Sequence, residues 1–501
     1  ASSRLEKCML KPLSASKWDY TAAAHLLNRA GFGGTPAEIE KLVSLGQERA
    51  VSYLVDFERI PDPTPDPDWA HPDPGRAERR RAAKNATPEQ RQQLQKEERQ
   101  IENQRILELR GWWLHRMAKG PRPFQEKMTL FWHGHFATSY EKVRDAYYIW
   151  RQNELFRRLA TGNWLELLTE AGKDPAMLVW LDQAQSRKDH PNENFAREVM
   201  ELFALGEGHY TEKDITEAAR ALTGWSLDPD GQKFIYRPFI HDNGEKTVLG
   251  RTGNLDGDDF IQQIVAQPQA AMFITAKLWN FFAGEMPSPE LNAGLADLFR
   301  RGGNNFKPIM RVIFSTEEFY SPSVVRNEIK SPVQWLVGSC RMLECELPPP
   351  LVSTNLLRSL GQDVFAPPNV KGWDGGLAWI TTNNLLARYN QAAMLAQGDM
   401  AIAASLATGP NKNPARVKQI QNRMRNMRAG GVDVDKILTQ EERANKEMLI
   451  AALEKRLLQA NLNSKQEGAL REYLSAKTDL DENDIRDAIR LVMCTPEYQV
   501  T

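Results

Sequence analysis

Two of the eight histidines in this 501-residue chain stand one glycine apart, in Phe131-Trp132-His133-Gly134-His135-Phe136-Ala137-Thr138-Ser139. In extended or turn geometry a His-x-His pair aims both imidazoles at one ion or substrate, whereas on a regular helix residues two apart diverge by about 200°. Gly134 therefore predicts a break between them. About fifty residues on lies a second chemical stretch, Asn192-Glu193-Asn194-Phe195-Ala196-Arg197-Glu198-Val199-Met200-Glu201. On a helical wheel of about 100° per residue, Asn194, Arg197, Glu198 and Glu201 share one side, and Phe195 and Val199 the other. A stripe of two carboxylates, an arginine and an amide without lysine suits a metal or substrate lining. It equally suits a buried ion network that ties helices together.

Taken together, His133 and His135 with Asp182 as a third ligand offer the mixed nitrogen and oxygen set of a divalent transition metal. Glu193, Glu198 and Glu201 are candidate acid and base groups, joined by His241-Asp242 in a loop, where a histidine can take a proton and an aspartate can orient it. Arg197, Asn194 and Arg220 are candidate substrate contacts, Arg197 for an anionic group such as a uronate or sulfate. Trp132, Trp225 and Trp373 are candidate platforms for sugar stacking. Each has a plainer reading as core, and the paired histidines as aromatic-packed structural residues. No H-E-x-x-H spacing or nucleophile elbow occurs, and Gly31-Phe32-Gly33-Gly34 lacks the strand and spacing of a dinucleotide fingerprint.

The elements that must position these groups read as helices. Thr35-Pro36 and Thr87-Pro88 each pair a cap with proline at the first helical position, and Asp174-Pro175 repeats the device. The helix opened by Pro88 begins highly charged and gains apolar residues from Ile101 through Trp113 to Met117, so a solvated first half and a core second half are expected. Ile60-Pro61-Asp62-Pro63-Thr64-Pro65-Asp66-Pro67 is neither helix nor sheet interior. Strand signal is confined to about 233–239 and 246–249, read as one hairpin inserted at about 233–250. The expected fold class is mainly α: a large multi-helix domain over 1–400, with a charged insertion at about 59–105, and a C-terminal helical region over 401–501 packing back on it. Within that region, 411–480 is charged and rich in Gln and Asn.

Composition narrows the function. With 41% hydrophobic and 26% charged residues the chain can bury a large core. The balance of 64 Lys+Arg against 65 Asp+Glu gives no global basic field, so a nucleic-acid partner is not expected. No run approaches the roughly 18 apolar residues of a membrane span. The opening Ala1-Ser2-Ser3 fits a processed exported protein, or a trimmed piece, equally well. The four cysteines lack C-x-x-C spacing. They read as buried thiols, or as a Cys8–Cys494 staple if the protein is exported.

The two opening stretches resemble those of a large bacterial family catalogued as "domain of unknown function 1800". Further matches are Asp174-Pro175-Ala176-Met177-Leu178, Ala218-Ala219-Arg220-Ala221-Leu222-Thr223-Gly224-Trp225, His241-Asp242, Pro367-Pro368-Asn369-Val370-Lys371-Gly372-Trp373 and Thr495-Pro496-Glu497-Tyr498. The resemblance runs from about Tyr20 to Val500. It implies a mostly helical protein, often exported to the periplasm or beyond, and encoded beside sulfatase-like proteins. It assigns no catalytic residue. The functional expectation is a hydrolase acting on a polysaccharide or other cell-envelope polymer, through carboxylates or a histidine-held metal. The alternative is a non-catalytic binding or assembly protein whose polar motifs are structural networks.

Overall fold

The computed structural model describes residues 10–399, 402, 403, 405 and 431–501. Cys8, and with it the proposed Cys8–Cys494 pairing, lies outside the described residues, as does the 411–430 part of the charged C-terminal stretch.

The described residues are mainly helical, with two small two-stranded antiparallel sheets among them. Helix starts follow the local chemistry. Thr35 and Thr87 each close a capping box, with Glu38 and Gln90 reaching back to the cap, and Pro36 and Pro88 fill the first helical position. Asp174 caps Pro175–Trp180 through the amides of Ala176 and Met177. The Pro88–Lys119 helix is exposed through its first three turns and buries one face from Ile106 onward. Ile101, read as the start of its core face, is 53% exposed, because the helix has not yet reached the body of the protein. The proline–aspartate run is extended, as its composition requires. It is fastened by an Asp62–Arg116 ion pair and by Trp112 Nε1 donating to the Pro65 carbonyl at 2.8 Å.

The strand segments are real, but they pair differently from the single hairpin expected. β1 (Trp225–Leu227) pairs with β2 (Phe234–Tyr236), and β3 (Lys246–Val248) pairs with β4 (Arg251–Gly253). The segment between β2 and β3 includes a turn of 3-10 helix, Pro238–Ile240, so those two strands never meet. The β1–β2 partner was missed because Trp225-Ser226-Leu227 is too short to carry an alternating pattern.

Two apolar cores organise the molecule. The first gathers Ala23 to Phe57, Phe124 to Phe136, Phe156 to Leu181 and Phe195 to Val324. The second gathers Phe32, Ile106 to Ala118, Val333 to Phe365 and, from the C-terminal region, Val432 to Tyr498. The Pro123–His135 helix lies between them. Leu130 belongs to the second core and Phe131 to the first, and every side chain from Phe124 to His133 is buried. Among the described residues no helix is long and apolar enough to cross a membrane.

Candidate functional site

The helix does not break at Gly134; it runs through His135 and ends at Phe136. The glycine that the backbone demands here is Gly372. Its φ is +91°, and a Cβ on it would stand 2.5 Å from the Gly134 carbonyl oxygen. The Pro367–Trp373 motif is thereby laid directly on the His133-Gly134-His135 motif.

Because the helix is regular, the two histidines diverge. His133 packs among Trp113, Phe156 and Phe365, and its Nε2 accepts from Asn153 Nδ2 at 3.1 Å. Asn153 Oδ1 in turn accepts from Arg157, and Arg157 pairs with the buried Glu126, so His133 ends a buried polar network. Burial, then the Arg157 charge, pushes its pKa down to about 3. His135 faces the other way. Its Nε2 donates to the Phe203 carbonyl at 2.9 Å, which leaves Nδ1 facing Lys277 Nζ at 3.4 Å. Burial and Lys277 hold it well below the ordinary histidine value. Asp182, the proposed third ligand, pairs with Lys142 at 2.7 Å and is half exposed. The three metal candidates are therefore not brought together, and among the described residues no three His, Cys, Asp or Glu side chains form a ligand set.

The carboxylate stretch holds a feature that a uniform helical wheel could not show. The Glu193–Glu198 helix continues as a π-helix over Val199–Ala204, whose wide turn brings the amides of Leu205 and Gly206 to the Met200 carbonyl at 2.9 and 3.0 Å. π-turns inside α-helices recur at functional sites. The carbonyls left over at its end take side-chain donors: Leu202 from Lys277 Nζ at 2.9 Å and Phe203 from His135. Lys277, from the Pro268–Ala283 helix, is lowered by burial to about 8.

On the outer side of this segment the polar stripe is half exposed, so it is not an inward network. Arg197 grips both oxygens of Glu212 at 2.8 and 2.7 Å and lies 3.6 Å from Glu193. Its charge is already matched. Glu193 also accepts from Thr216 at 3.0 Å, and Asn194 reaches the Leu181 carbonyl at 3.5 Å. Glu201 accepts from the Tyr210 hydroxyl at 3.2 Å. Glu198 differs from all of these. It makes no hydrogen bond or ion pair with the described residues, and burial followed by the Glu201 charge raises its pKa, with Arg197 and Lys371 opposing. Lys371, on the motif seated over Gly134, is exposed. Lys371, Lys277, Tyr210 and Glu212 were not among the sequence-derived site residues. Only Lys371 had a sequence signal, in its family motif.

The remaining candidates stand apart from this cluster. His241 is buried, with Nδ1 donating to the Thr223 carbonyl at 2.7 Å. Asp242 is locked to Arg220 at 2.7 Å, and that bond holds its pKa down to about 2; Arg220 also pairs with Glu217 at 3.0 Å. This cluster fastens the β3 region to the Glu212–Ala221 helix, since Glu217 also accepts from the Thr247 amide at 3.0 Å. Trp132 and Trp225 are core residues, at 0% and 2% exposure, and cannot serve as stacking platforms as placed; Trp373 is partly exposed. Two cavities lie elsewhere. One of about 460 Å³ is walled by Lys41, Tyr53, Lys119, Cys340, Arg341 and Lys436, and one of about 650 Å³ by Gln95, Arg99, Glu102 and Tyr140. Neither includes Glu198.

A family model described as "Protein of unknown function (DUF1800)" matches residues 25–500. No curated protein and no solved structure matches the chain.

Proposed function

We propose, from the premise that the chain belongs to the DUF1800 family, whose description names no activity, that it is a hydrolase of extended polymers, working through Glu198 and Glu201. The observation that carries this reading is the state of Glu198: a half-buried carboxyl, raised in pKa, beside a second carboxylate and without an ion pair among the described residues. Paired carboxylates in which burial and like charge keep one protonated are the equipment of glycosidic bond hydrolysis. Glu198 gives its proton to the leaving oxygen, and Glu201, oriented by Tyr210, activates water or attacks the sugar carbon. Lys371 draws an acidic chain across the pair. The half-exposed position of the stripe suits a polymer laid over the surface. A polysaccharide of the cell envelope, met in the periplasm or outside the cell alongside sulfatase-like enzymes, is the substrate class in keeping with the family resemblance. No step needs a metal.

The test is release of reducing ends from polyuronate and sulfated polysaccharides. Glu198→Gln is expected to lower kcat about 10²-fold with little change in melting temperature. Lys371→Ala is expected to move the alkaline limb of the kcat/KM profile to higher pH, because it removes a cation that favours the ionised Glu198. Wild-type turnover untouched by Glu198→Gln would sink the reading. A protein that binds these polymers and releases nothing would instead establish a non-catalytic binding or assembly role, the reading favoured by the sealed network behind His133.

A further inference from the structure

We propose that Cys340 and Cys345 form a redox-active dithiol, closing to an intramolecular disulfide by exchange with an external disulfide. The Pro332–Met342 helix ends in two characteristic backbone bonds, Cys345 N–H to the Cys340 carbonyl at 3.0 Å and Glu344 N–H to the Arg341 carbonyl at 3.1 Å, with Glu344 left-handed at φ +50°. That pair of bonds defines a Schellman turn, in which the side chains at its first and sixth positions come into contact, normally as two apolar groups. Here both positions are cysteine. Both are free thiols in the structure, and the Cys340 Sγ donates to the Glu346 carbonyl at 3.8 Å.

The surroundings divide the labour between them. Cys340 is fully buried, whereas Cys345 is partly exposed. Three cations cluster on the turn: Lys119 Nζ donates to the Cys345 carbonyl at 3.2 Å, Lys436 Nζ to the Glu344 carbonyl at 3.0 Å and Arg456 to the Met342 carbonyl at 2.8 Å. Lys119 is shared with Glu346 at 3.2 Å and Arg456 with Glu344 at 2.9 Å, so Lys119 is the cation that favours the Cys345 thiolate and makes it the nucleophile. In agreement, the neighbouring Cys340 thiol, helped by Lys119, holds Cys345 below the ordinary thiol value, while the nearness of Cys345 and burial push Cys340 well above it.

The Cys345 thiolate attacks one sulfur of the external disulfide, expels one thiolate and leaves a mixed disulfide. Cys340 then loses its proton and attacks the Cys345 sulfur, forming the internal bond and expelling the second thiolate. Two electrons pass from the pair to the reagent, and the two protons lost by the cysteines are available to the two released thiols. The bond would pin the end of the helix within the turn that Lys436 and Arg456 already hold through the Glu344 and Met342 carbonyls.

The experiment equilibrates the full-length protein in mixtures of reduced and oxidised glutathione, quenches exchange with acid, unfolds the protein, labels residual thiols with a maleimide and maps the peptides by mass. Labels on Cys340 and Cys345 are expected to disappear together, with a linked peptide two hydrogens lighter. Cys340→Ser should leave a stable glutathione adduct on Cys345. In Cys345→Ser, the partly exposed position and so the milder change, Cys340 should resist labelling in the native protein. Both labels persisting at every ratio, or an adduct on wild-type Cys345 that never gives way to the internal bond, would overturn the proposal.

Discussion

Glu126→Ala is expected to cost about 3–5 kcal/mol, a large share of the roughly 5–15 kcal/mol that holds a folded domain together. Glu126 is 2% exposed and is the acceptor for Trp113 Nε1 at 2.8 Å, Arg116 Nε at 3.1 Å, and Arg157 Nε and Nη2 at 2.8 and 3.0 Å. Burial alone would push its pKa up, yet Arg157 and Arg116 together hold the carboxyl below the ordinary value. Removing it leaves two guanidinium groups, at 7% and 5% side-chain exposure, short of their shared counter-charge and without water to replace it. Arg116 keeps Asp62, and Arg157 keeps Glu154 and Asn153, so the loss is partial. Glu126→Gln keeps the shape without the charge and should fall between alanine and wild type. Urea unfolding measures both, and an alanine variant within about 1 kcal/mol of wild type would show the network to be dispensable.

Acid should loosen the protein well before the paired carboxylates titrate. His25 and His133 are pushed to about 3, and His135 well below its ordinary value, in each case by burial first and then by a neighbouring cation: Arg29, Arg157 and Lys277. Their folded pKa values lie under the unfolded value of about 6.5. The unfolded chain therefore binds protons that the folded one refuses, and the stability present above pH 6.5 is lost as pH falls toward 3. Each histidine contributes a slope of about 1.4 kcal/mol per pH unit across that window. Asp174 works in the opposite sense. Burial raises it to about 7, so the folded state holds its proton between the unfolded value and 7 and cancels about one histidine. His133→Asn, which cannot be protonated, isolates one term: the slope of unfolding free energy between pH 6 and 5 should drop by about 1.4 kcal/mol per unit relative to wild type. An unchanged slope would mean that His133 is charged inside the core.

What the chain disclosed in advance was local. Thr35, Thr87 and Asp174 announce their helices because a cap needs only the three residues that follow it, and the proline–aspartate run excludes helix and sheet by its own covalent chemistry. The Glu198–Glu201 stripe was visible for the same reason. The partners of His135 were not. Lys277 lies 142 residues from His135 in sequence, and the Phe203 carbonyl 68 residues away. No spacing rule reaches that far. The π-turn at Val199–Ala204 escaped because it shifts the wheel without altering composition, and Gly134 was credited with a break that belongs to a contact made by Gly372. The separation of His133 from His135 followed from helix geometry once the helix was known to continue.

The Pro123–His135 helix, walled by one core on each side, has almost no solvent face from which water could begin to peel it away. Its amides can trade hydrogen for deuterium only when both cores come apart together, so this short segment keeps a slow clock and reports global opening.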